Sequence, residues 1–192
     1  MRGGVRVVDL IDWNFSLLFI TAITVIYWAG LTPYGFLLNT QSESPIALAL
    51  GVLLYPLGHA EFSHWFVNAA ALCAFAPRAE VRFGTRLVLR YALATSVICG
   101  LLVLVLRDGM LMGASGVAYF FFGLMLAYYF CLGSRIWAFF VPFIVSFFVM
   151  AEIWAIGLEG NYATEVHLVS LAAGLVLGYL WQDEALDRQF SR

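Results

Sequence analysis

The chain contains no lysine, and only 11% of its residues are charged, against about 25% in soluble domains. Ten basic and twelve acidic residues leave a net charge of -2. There is no basic run and no glycine-rich phosphate loop, so no nucleic-acid partner is expected. Cysteine is scarce: Cys73, Cys99 and Cys131 lie in or at the ends of apolar segments without metal or redox spacing, and read as small core hydrophobes. Acids that could face each other across a bilayer are missing as well. Glu152 is the one acid well inside an apolar run, which argues against an aspartyl dyad. His-Glu-x-x-His is also absent, because after His59-Ala60-Glu61 the next histidine is His64, off the helix face that a zinc ion needs. No metal and no cofactor is expected, and the chain shows neither the internal duplication nor the paired broken helices of a transporter.

What the chain has in excess is apolar surface. Hydrophobic residues make up 63% of it and the mean hydropathy is +0.91. This is the composition of an integral all-α membrane protein, with the lipid bilayer as its surroundings. Six apolar runs predict six helices, roughly Asn14 to Leu31, Leu57 to Phe75, Arg86 to Leu106, Ala114 to Leu132, Ile136 to Gly157 and Glu165 to Gln182. A compact six-helix bundle over residues 1–192 leaves no room for a separate soluble domain. The first run has an apolar core of about 18 residues, longer than a signal-peptide core, and no Ala-x-Ala cleavage site, so it reads as a span.

Charge then sets orientation. Arg2 and Arg6 precede the first run, Arg78, Arg82, Arg86 and Arg90 follow the second, Arg135 follows the fourth, and Arg188 and Arg192 end the chain. Only Arg107 falls on the other side. The positive-inside rule therefore predicts both termini in the cytoplasm, as an even number of spans requires. Ser115, His167, His59 and His64 then lie toward the outer face. The longest connection, Thr32 to Pro56, is on that side too, and its apolar stretch Ile46 to Tyr55 is too short to span. It reads as an interfacial or re-entrant element in the outer leaflet.

Polar groups in a membrane span cost a few kcal/mol unless they are paired or face a wet cavity. On the second predicted helix, His64 and Asn68 share a face, whereas His59 is expected to point roughly 140° away. The pair reads either as donors into one cavity or as a hydrogen-bonded tie between helices. Gly113-Ala114-Ser115-Gly116 is a weak signal alone, since small residues are ordinary packing at helix interfaces. Its context strengthens it, because Ser115 opens a helix whose first-turn amides lack intrahelical acceptors and could stabilise an oxyanion. Tyr119, one turn on, could pack beside an imidazole or serve as an interfacial tyrosine. After His167 come Ser170, Gly174 and Gly178, a small-residue stripe suited to a helix carrying Gly116 and Gly123. Such packing would bring His167 within reach of Ser115, the geometry for a base to activate a serine.

Together these residues resemble the rhomboid intramembrane serine proteases. The resemblance rests on His59, His64 and Asn68 in a His-x4-His-x3-Asn pattern, and on Gly-x-Ser-Gly at Gly113 to Gly116. Tyr119 four after the serine, His167 with Gly174 seven on, and Glu80 with Gly84 extend it. It implies Ser115 as nucleophile, His167 as general base in a two-residue dyad, and His64, Asn68 and the Ser115 amide as oxyanion donors. Gly113, Gly116, Tyr119 and His59 would support the site. The implied substrates are membrane proteins cut in or beside a transmembrane segment. The compact form resembles bacterial members, so the expected location is the inner membrane, with the site on the periplasmic side. Two departures stand out: Leu50-Gly51 replaces the family's Trp-Arg pair, and Ser170 stands where many members have glycine. The alternatives are a rhombosortase-type processor of C-terminal anchoring tails and an inactive relative that binds transmembrane helices.

Overall fold

The computed structural model describes residues 14–106, 109–131 and 164–181. The predicted helix Ile136 to Gly157 with Glu152, the arginines at 2, 6, 107, 135, 188 and 192, and Gln182 lie outside the described residues. The described chain is almost all helix: α1 (Phe15–Trp28), α2 (Pro45–Leu54), α3 (Phe62–Phe83), α4 (Thr85–Leu106), α5 (Ser115–Cys131) and α6 (Thr164–Leu180). Two short strands, β1 (Leu38–Asn39) and β2 (Met110–Leu111), pair antiparallel.

Apolar side chains cover every face of α5, which suits a helix with no side toward water, and its packing makes it the central one. From Val117 through Met125 its residues are buried, as is Tyr128, and it packs against α3, α4 and α6. Of the described helices, α4 alone is long and apolar enough to cross a bilayer by itself. Residues Pro45–Leu57 and α3 pass that test only as a pair bent by 71°. The 14 residues of α1 and the 17 each of α5 and α6 are apolar but shorter, the last two rising about 25 Å against a hydrocarbon core of about 30 Å.

The apolar stretch Ile46 to Tyr55 forms most of the helix α2, started by Ser44, whose Oγ accepts from the Ala47 amide at 3.3 Å, and by Pro45 in its first turn. Its residues Ile46, Leu50 and Leu53 stay exposed, a surface fitted to lipid.

The second predicted helix needs correction. It starts at Phe62 rather than Leu57, because Tyr55–Leu57 forms a 3-10 turn and Gly58 is extended. It also continues past Pro77 to Phe83, where Gly84 at φ 86° stops it and donates to the Glu80 carbonyl at 2.8 Å. The buried Glu80 side chain is turned onto the start of α1, where orphan amides need acceptors. Its carboxylate accepts from the Phe15 amide at 2.8 Å, the Ser16 amide at 3.0 Å and the Ser16 hydroxyl. Asn14 supplies a local cap as well, accepting from the Leu17 amide at 2.9 Å. Removing the carboxylate strips three donors of their acceptor, two of them buried, so Glu80→Ala should cost about 2 kcal/mol, with Glu80→Gln recovering part. Unfolding in mixed detergent measures this, and an unchanged midpoint for Glu80→Ala would rule the cap out as a source of stability.

Candidate active site

Three segments converge just before Ser115. Gly113 adopts φ 112°, a conformation that disfavours any side chain. A Cβ there would also stand 2.5 Å from His64 Nε2 and 3.7 Å from Asn68 Nδ2. Glycine thus lets the two polar side chains of α3 lie against the backbone that leads into the serine. The Gly113 amide donates to the Tyr55 carbonyl at 2.9 Å, and the Ala114 amide donates to His59 Nε2 at 3.3 Å.

The placement of His59 corrects the sequence expectation. It lies before α3 rather than on it, and its ring sits 5.0 Å from that of His64 at 60° instead of pointing away. Its backbone is locked by Thr32, whose hydroxyl donates to the His59 carbonyl at 3.0 Å and accepts from its amide at 3.2 Å. His64, half-buried in the first turn of α3, is followed one turn on by buried Asn68, whose Nδ2 donates to the His64 carbonyl at 2.9 Å.

On the other side, α6 meets α5 along a glycine seam. A Cβ on Gly174 would run into the Phe120 carbonyl oxygen, one on Gly123 into that of Leu171, and one on Gly178 into that of Leu124. Helix backbones approach this closely only where side chains are absent. The seam carries His167, in the first turn of α6, to Ser115, the first residue of α5, and His167 Nε2 is 2.8 Å from Ser115 Oγ. The Tyr119 ring stacks on the imidazole, with centroids 4.4 Å apart and planes 2° from parallel. Gly116 packs on Val166 and Ser170.

All eight residues singled out from the sequence therefore line a single locus. A hydroxyl in contact with an imidazole at the mouth of a helix can support nucleophilic chemistry. Among the described residues no cluster of histidine, cysteine or acid could hold a metal.

A family model described as the Rhomboid domain matches residues 49–183, from α2 through α6. The chain belongs to the rhomboid family. Comparison with curated proteins returns no match. Rhomboid proteins are integral to the membrane, and the family acts on transmembrane segments within the bilayer.

Sequence reasoning missed Tyr55 and the ladder behind it. The Tyr55 carbonyl holds Gly113, its hydroxyl donates to the Ser96 carbonyl at 3.1 Å, and β1 binds the connection between α1 and α2 to β2. Thr40 adds a clasp, its hydroxyl accepting from the Gly109 amide at 2.8 Å and its amide donating to the Gly109 carbonyl at 2.9 Å. The Tyr55-Pro56 step was the one local sign that the chain turns there.

Proposed function

We propose that this rhomboid protein is an active intramembrane serine endopeptidase, cutting membrane proteins in or beside a transmembrane segment. The observation that carries the reading is the 2.8 Å contact between His167 Nε2 and Ser115 Oγ, with the imidazole held flat against Tyr119. His167 takes the serine proton as Oγ attacks the scissile carbonyl, then returns it to the leaving amine. Water attacks the acyl-enzyme in the second half of the cycle, with the same imidazole as base. The developing oxyanion is met by His64, Asn68 and the Ser115 amide. His59 and Gly113 hold the backbone before the serine, and Gly116 keeps α6 close. A scissile bond in a helix has its carbonyl committed to intrahelical bonding, so the substrate must unwind locally, which helix breakers ease.

In this reading residues 1–192 form one six-helix domain with cytoplasmic termini, sited in a bacterial inner membrane with the dyad toward the periplasm. A rhombosortase-type activity on C-terminal anchoring tails is the second reading. It is favoured by the place of Leu50-Gly51 inside α2, where Gly51 packs on Leu38 and the family's Trp-Arg pair is replaced.

Labelling of the purified protein with a fluorophosphonate tests the proposal. Wild type should label, and Ser115→Ala and His167→Ala should not. Absence of labelling in a folded sample would instead favour an inactive relative that binds transmembrane helices. Substrates with an internal span, compared with those carrying a C-terminal tail, then separate the two protease readings.

A further inference from the structure

Directly behind the dyad, three helices meet at a point that the proposed chemistry does not use. Cys99 of α4 and Ser170 of α6 are both 0% exposed, and Cys99 Sγ lies 3.2 Å from Ser170 Oγ. The same sulfur is 3.9 Å from the carbonyl oxygen of Val166, the residue before His167. Gly116, the residue after Ser115, closes the junction, since a Cβ on it would stand 3.3 Å from Ser170 Oγ and 3.8 Å from Cys99 Sγ.

The glycine seam between α5 and α6 sets how near the helices come, but a smooth seam is a poor guide to rotation or sliding. The dyad needs both, because a small turn of α6 would separate His167 from Ser115 and tilt its ring off Tyr119. Hydrogen bonds between side chains are directional and restrict what smooth packing leaves loose. The Cys99 to Ser170 contact is placed to do so, one helical turn past His167 and anchored in α4 rather than α5.

We infer that Ser170 and Cys99 form a positioning pair that fixes the rotation of α6 and thereby aligns His167 with Ser115. The catalytic consequence rests on the protease reading above; the alignment itself does not.

The test uses the full chain in detergent with nitrogen-15 histidine, the His167 ring signals being assigned from His167→Ala. In Ser170→Ala and Cys99→Ala the His167 signals should move away from their wild-type positions, while those of His59 and His64 stay put. The fluorophosphonate labelling rate should fall about fivefold to tenfold in each variant, with the double variant no slower than either single. Cys99→Ser, which can still bond to Ser170, should keep both wild-type properties. A purely structural role would lower thermal stability without moving the imidazole signal. Unmoved His167 signals in both alanine variants would overturn the pair. If they move while wild type fails to label, positioning stands and the protease reading falls. Should Ser170→Ala not fold, Cys99→Ala against Cys99→Ser makes the same comparison.

Discussion

His167→Ala should lower the rate of peptide-bond cleavage by about 10⁴-fold or more. A serine hydroxyl is a weak nucleophile until a base removes its proton, and the imidazole 2.8 Å from Ser115 Oγ is positioned to be that base. Ser115→Ala should reach the same floor, and the double variant should go no lower, because the two groups act as one unit. His64→Ala and Asn68→Ala should stop short of it, each losing about 10² to 10³ by removal of one proposed oxyanion donor. Rates come from cleavage of a reporter membrane protein reconstituted with this protein in liposomes. A His167→Ala variant that cleaves within tenfold of wild type would dismiss the dyad.

Gly174→Val should be the most damaging change away from the reacting groups. A Cβ at this position would meet the Phe120 carbonyl oxygen and stand 2.8 Å from the Leu124 amide nitrogen. Both obstacles are backbone of the buried α5, so neither can rotate aside. The helices must part, with a stability loss of about 3 kcal/mol, and the dyad opens at the end of the seam. Misplacement of about 1 Å is enough for a loss of roughly 10²-fold in activity. Val176→Ala, at an exposed position of the same helix, should leave both properties near wild type. Unfolding midpoints and cleavage rates on the pair measure this, and equal behaviour would mean that the seam is not close-packed.

The helices were legible where apolar composition and helix length end together. For α4 the expected start at Arg86 is one residue late and the expected end at Leu106 agrees with the structure, since Gly84 bounds it on one side and Arg107 follows in sequence on the other. For α3 the two diverge. The apolar run marks what prefers lipid, whereas the helix is marked by its hydrogen bonds, which start after the Tyr55-Pro56 turn and continue through charged residues to Gly84. That shift is why His59 was assigned to the wrong face. The Ser115, Tyr119 and His167 grouping could be anticipated because helical spacing and the small-residue stripe are local signals. The pairing of Leu38 with Leu111, the reach of Glu80 to α1 and the contact of Cys99 with Ser170 join segments far apart in sequence. No local propensity encodes them, and they follow only once the helices have packed.

The cap on α1 also puts the protein on a clock. The carboxylate that completes this helix lies 65 residues downstream of the Phe15 amide it accepts from. At about 5 to 20 residues per second, the ribosome takes roughly 3 to 13 seconds to deliver it. Until then α1 must make do with Asn14, and three donors at its start have to be served by water, headgroups or the insertion machinery. The first of the described helices to be made is thus among those finished late, held in an incomplete form until the chain has come back to meet it.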